Sequence, residues 1–237
     1  MNNIRKISEV IGGISYLGRG LLIGKTENGK KAVVAYFITG RSDNSRNRVF
    51  AEENGELFTR PFDAAKVQDP SLIIYAAIRR LKNYIIVSNG DQTDTVFDAL
   101  ENGISFENAL KTRAFEPDAP NFTPRISGLL AFKDGDFSYT ISILKAADAQ
   151  GSACERQFFE YAPLNGQGHF ISTYSCDGNP LPSFSGEPKK VFIPDNIGEF
   201  TEEIWNALDK DNRISLYVEY VDLTTAKSDK RLLNKNK

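Results

Sequence analysis

The sequence predicts an α+β fold made mostly of antiparallel strands. Three observations carry this. Asn28-Gly29, Asn54-Gly55 and Asp134-Gly135 each sit between two β-rich runs, the strongest short-range hairpin signal. About ten strand-like runs stand against three or four helical ones. Strands and helices do not alternate regularly, so a doubly wound parallel sheet is disfavoured. Many strands with few helices fit two stacked sheets with helices outside them.

The elements follow in chain order. Leu21–Lys25 and Lys31–Ile38 form the first hairpin around Thr26–Gly29. Arg48–Glu53 and Glu56–Arg60 form the second. Leu72–Arg80 and Tyr84–Val87 form the third; the short, branched apolar run of Leu72–Arg80 favours strand over helix. Thr93 or Asp94 can cap a helix whose apolar face uses Val96, Phe97 and Leu100, and Gly103 stops it. Ser105 caps a second helix, Phe106–Arg113. Glu116–Pro124 carries three prolines and reads as an extended loop. Arg125–Phe132 and Phe137–Leu144 form another hairpin. Gln157–Tyr161, His169–Tyr174 and Val191–Ile193 read as strands, with a loop over Ser175–Pro188. Thr201–Asp209 is a helix presenting Ile204, Trp205 and Leu208, and Arg213–Val221 is the last strand. Residues 1–225 are expected to form a single domain, and residues 226–237 a polar, frayed tail.

Composition narrows the function classes. The chain has 237 residues, 41% hydrophobic and 25% charged, with a net charge of -2. That is ordinary for a soluble globular protein and gives no global basic field for nucleic acid. No apolar run approaches the ~20 residues of a membrane span. Two cysteines make no disulfide framework, and a cytoplasmic location is the expectation. One histidine and no metal-ligand motif argue against a bound metal.

Two polar segments stand where strands are expected to end. Gly40–Arg48 offers Arg41, Arg46 and Arg48 with Ser42 and Asn47. Guanidinium forks match phosphate oxygens. A solvated loop, with Arg48 opening a strand, is the plain alternative. Ser88–Thr95 offers Asn89, Gly90, Thr93 and Asp94 before a helix, which suits an anion or a polar ligand edge. A simple turn and cap would look the same. Thr123-Pro124-Arg125 adds another guanidinium. Tyr75 lies in an apolar run and is most simply a core aromatic. His169 reads as structural, and Cys154 and Cys176 as inert thiols.

Together these stretches resemble the archaeal-type, stand-alone IMP cyclohydrolase family. The matching segments are Tyr16-Leu17-Gly18-Arg19-Gly20, Gly40–Arg48, Ser88-Asn89-Gly90 with Thr93-Asp94-Thr95, Phe122–Ile126 and Ile171–Tyr174. They run in family order over about two thirds of the chain.

The resemblance implies a four-layer αββα sandwich, like that of N-terminal-nucleophile hydrolases but without a nucleophilic N-terminal residue. It implies closure of 5-formamidoimidazole-4-carboxamide ribotide to inosine monophosphate, with no metal or organic cofactor. In that frame Arg41, Ser42, Arg46 and Arg48 hold the 5′-phosphate, with Arg19 as an addition. Asn89, Thr93 and Asp94 read ribose or carboxamide beside Gly90 and Thr123. Arg125 or Asn47 faces the formyl oxygen, and Tyr75 shuttles a proton. Gln92, where the family leads one to expect histidine, is a binding group. A homo-oligomer is allowed but not specified. A non-catalytic ribotide-binding protein and an amide hydrolase on the same scaffold are the rival readings.

Overall fold

A computed structural model describes residues 4–67 and 74–236. Two antiparallel sheets dominate it. The first has six strands in the order β11 (Lys189–Phe192), β10 (Gln167–Ser172), β1 (Arg19–Lys25), β2 (Lys31–Thr39), β12 (Arg213–Asp222) and β13 (Ser228–Asn234). The second has seven in sequence order: β3 (Val49–Glu53), β4 (Glu56–Arg60), β5 (Tyr75–Leu81), β6 (Tyr84–Ser88), β7 (Arg125–Lys133), β8 (Asp136–Ala146) and β9 (Cys154–Tyr161). The hairpins expected at Asn28-Gly29, Asn54-Gly55 and Asp134-Gly135 are all present.

Three apolar clusters hold the layers. Leu21, Val34, Tyr36 and Ile38 of the first sheet meet Ile78, Val87, Ile126 and Ile141 of the second. On the first sheet's other face, Val33, Phe37, Val218 and Tyr220 pack against α1 (Ile7–Ile11) and α5 (Ile197–Ala207). On the second sheet's other face, Ile86, Leu129 and Leu144 pack against α3 (Gln92–Glu101) and α4 (Phe106–Lys111). Strand β2 is therefore covered on both faces, which explains its unbroken apolar run. Full burial of each large aliphatic side chain contributes about 1.5–3 kcal/mol.

Several expectations need correction. The frayed tail is instead β13, paired with β12 from Ser215↔Asn234 to Val221↔Ser228. Leu232 and Leu233 alternate onto the two sides of the sheet, and the Asn234 side chain bonds both Phe50 N and Phe50 O. Overall polarity hid this alternation. Thr93 and Asp94 do not cap α3; the cap position is Asp91, and both residues lie in the first turn. Four residues of the Arg-rich loop form a short helix, α2 (Asp43–Arg46), capped by Ser42. Helix α5 starts earlier than expected because the Asn196 side chain accepts from Gly198 N and Glu199 N. Helix α1 had no sequence signal. Of the expected strand Leu72–Arg80, Leu72 and Ile73 lie outside the described residues, and β5 begins at Tyr75. Gly103 and Ser105 act as expected at the helix ends.

Candidate active site

Arg19 opens β1, Tyr75 opens β5, Arg125 opens β7, and Ser88 closes β6. Antiparallel pairing brings these termini to one end of the two sheets. Gly18 makes the approach to Arg19 possible. Its φ is +71°, and a Cβ there would lie 2.1 Å from Thr173 Oγ1. Thr173 then clamps the Arg19 backbone: its Oγ1 accepts from Arg19 N at 3.1 Å, and its N–H donates to Arg19 O at 2.9 Å.

Two guanidinium groups are buried at this end. Arg19 is 9% exposed and Arg48 is 5% exposed, and the Nε of each has no hydrogen-bond partner among the described residues. Neither forms a salt bridge among the described residues. Tyr75 and Tyr36 lie beside both, with their hydroxyls 2.9 Å apart. The two cations shift in opposite directions. Burial opposes the charge on Arg19, but Tyr75, Glu116, Tyr16 and Tyr36 hold its pKa above the ordinary value. Burial, then repulsion from Arg19, lowers Arg48 to about 10. Tyr75 and then Glu116 favour the charge on Arg19, whereas Arg48 bears the repulsion of Arg19.

Glu116 is itself buried. Burial raises its carboxyl pKa, while Arg19, Arg125 and Arg48 pull it back. Arg125 Nη1 lies 3.9 Å from Glu116 Oε1. The same Nη1 donates to Asp91 Oδ1 and to Gln92 Oε1, both at 2.6 Å. Burial works against ionised Asp91, but Arg113 and Arg125 hold its carboxyl below the usual range. Gly90 fits this knot tightly: a Cβ there would sit 2.7 Å from both Arg125 Nη1 and Gln92 Oε1. On the other flank, Thr123 Oγ1 lies 2.6 Å from Tyr174 OH and bonds Asp118, and Tyr174 stacks on Tyr16.

The sequence candidates divide accordingly. Arg19, Arg48, Tyr75, Gly90, Thr123 and Arg125 meet in this cluster. Asn89 is internally committed: its Nδ2 donates to Pro124 O, and its Oδ1 accepts from Gln92 Nε2 and Ile126 N. Asn47 pins the chain at Asp63 through two hydrogen bonds. Thr93 bonds Gly90 O and Ser88, and Asp94 pairs with Arg79. Arg46 donates to Gly40 O and Asn212 Oδ1, away from Arg48. Ser42 is spent on capping α2. Arg41 sits over the Tyr16 ring and pairs with Asp177 at 2.5 Å.

Sequence reasoning missed Glu116 as a site residue, hidden at the start of a proline-rich loop. It also missed Tyr36, whose phenol in an otherwise apolar run was the available signal.

Buried cations without an ion-pair partner among the described residues, beside a buried carboxyl and a phenol, have the chemistry to receive a small anionic ligand. The model of a family described as IMP cyclohydrolase-like protein matches residues 16–226. The IMP cyclohydrolase of Methanopyrus kandleri is 32% identical over 164 residues, covering 67% of this chain and 75% of that protein. The IMP cyclohydrolase of Methanocaldococcus jannaschii is 30% identical over 191 residues, covering 79% and 88%. The chain belongs to the IMP cyclohydrolase-like family.

Proposed function

We propose that this chain closes the ring of 5-formamidoimidazole-4-carboxamide ribotide, giving inosine monophosphate and water. The observation that carries the reading is the buried Arg19–Arg48 pair with unpaired Nε groups beside Glu116 and Tyr75. Family membership supplies the substrate class. Two stacked sheets with helices on their outer faces also support an N-terminal-nucleophile-hydrolase-like sandwich, and purine-ribotide chemistry supports a cytoplasmic setting.

The carboxamide nitrogen attacks the formyl carbon. One proton leaves the carboxamide nitrogen, one leaves the formamide nitrogen, and the formyl oxygen departs with both as water. The nucleophile is poor, so alignment matters most; well-oriented intramolecular reactions reach effective molarities of ~10⁵ M or more. Arg19 and Arg48 face the oxyanion that develops on the formyl oxygen. Glu116 accepts the carboxamide proton and passes it to the formyl oxygen, and Tyr75 delivers the second proton as that oxygen departs. Arg125, aimed by Asp91 and Gln92, holds Glu116 in place. Arg41, at the exposed rim, is left for the ribotide phosphate.

The test is an ultraviolet assay with the formamido ribotide, without folate or added metal. Wild-type protein should make inosine monophosphate. Glu116→Gln should lower kcat by about 10²-fold or more, the scale of a positioned general base. Folded wild-type protein that binds inosine monophosphate yet makes none would favour the ribotide-binding reading.

A further inference from the structure

Tyr36 and Tyr75 share a hydrogen bond between their hydroxyls, and burial distinguishes its two possible directions. Tyr36 is completely buried in β2, and its ring stacks on Phe50 with centroids 5.6 Å apart. Its hydroxyl has one partner among the described residues, the Tyr75 hydroxyl at 2.9 Å. Tyr75 is 6% exposed. A phenol has a single proton to give. If Tyr75 gave its proton to Tyr36, the Tyr36 O–H would be left in the core without an acceptor, a costly arrangement. With Tyr36 as donor, the proton left over is that of Tyr75, the less buried hydroxyl and the one a bound ligand can reach, so we assign Tyr36 as the donor and Tyr75 as the acceptor. The neighbouring guanidiniums of Arg19 and Arg48 can only donate, so they leave that direction unchanged.

We infer that Tyr36 is a positioning residue that turns the Tyr75 hydroxyl proton toward the reacting atoms and stabilises the oxygen left behind when that proton is given away. This rests on the cyclohydrolase reading above. The proton leaves Tyr75 for the departing formyl oxygen. Negative charge on the Tyr75 oxygen is met by the Tyr36 O–H and by the field of Arg19 and Arg48. The proton that leaves the formamide nitrogen resets Tyr75. Tyr36 touches no substrate in this scheme, so its loss should change turnover rather than affinity.

Steady-state kinetics of Tyr36→Phe test this. The phenyl ring keeps the stack on Phe50 and deletes only the donor. The expected result is a fall in kcat of about tenfold, the worth of one hydrogen bond strengthened in the transition state, with KM unchanged. Replacing Tyr36 with 3-fluorotyrosine, which keeps a more acidic O–H, should hold kcat at or above wild type. Wild-type kcat in Tyr36→Phe would overturn the inference. So would an equal loss in the phenylalanine and fluorotyrosine proteins, which would mark a packing role. Should Tyr36→Phe fail to fold, a series of mono- and difluorotyrosines at position 36 decides: kcat that tracks phenol acidity supports the inference, and a flat series overturns it. A wild-type chain without turnover removes the cyclohydrolase reading, and this inference with it. Turnover in wild type with a flat fluorotyrosine series removes the inference alone.

Discussion

Arg48→Met should make the ligand-free protein more stable and less active. Arg48 is 5% exposed, and burial and the Arg19 charge lower its pKa to about 10, well below that of an ordinary guanidinium. Each pKa unit corresponds to ~1.36 kcal/mol, so the charged form is disfavoured in the fold by about 3 kcal/mol. The sign is that of a base with a lowered folded value. The penalty is fully present at neutral pH and relaxes only as pH rises past about 10. Methionine keeps the apolar stem and removes the charge. Lost packing of the guanidinium returns part of the gain, leaving about 2 kcal/mol. For a chain of this size that is a rise in Tm of roughly 4–8 °C. The same change removes a donor to the oxyanion, which should lower kcat by about 10²–10³-fold. Thermal melting of ligand-free protein and the ultraviolet assay read the two effects. A variant with lowered Tm and near-normal kcat would refute the reasoning. It would mean that Arg48 is a satisfied structural cation and not half of an uncompensated pair.

Three further outcomes follow from particular contacts. Gly90→Ala should fold normally, because the atoms its Cβ meets at 2.7 Å are side-chain ends of Arg125 and Gln92 and not backbone; shifting that pair by a fraction of an ångström should lower kcat by up to ~10²-fold while melting stays near wild type. His169, buried beside Lys190 and stacked on Tyr161, is held down to about 4, so it contributes stability above its ordinary 6.5 that is lost as pH falls toward 4. Urea titrations at pH 7 and 5 should show His169→Phe losing about 2 kcal/mol less than wild type between the two; equal losses would contradict this. Arg80 pairs with both oxygens of the fully buried Glu219 at the far end of the sheets, so Arg80→Met should cost about 3–5 kcal/mol in urea unfolding and leave kcat unchanged.

Local rules reached far into this fold and less far into its site. Hairpins at Asn-Gly and Asp-Gly were legible because a two-residue turn with positive φ is decided by neighbours in sequence. Helix ends at Gly103 and Ser105 were legible for the same reason. Strand β13 was not, because its two leucines acquire meaning only beside β12 and Phe50. The Gly40–Arg48 loop was legible as cationic but not as divided. Arg48 turns into the core while Arg46 turns to Gly40 and Asn212, a difference of orientation that composition does not carry. Asn89 and Asn47 have the chemistry of ligand groups but spend it on backbone atoms and, for Asn89, on the Gln92 side chain.

The sequence by itself determined the class, the hairpin order and the family, since these rest on turn chemistry, strand periodicity and motifs in a line. Only the tertiary structure decided which charges are buried and which are answered. Arg19, Arg48, Tyr36, Tyr75 and Glu116 come from five separate stretches of chain and meet only when two sheets stack. Burial and pairing are properties of that meeting. They turn ordinary arginines and an ordinary glutamate into the candidate site, because charge removed from water must find either a partner or a ligand.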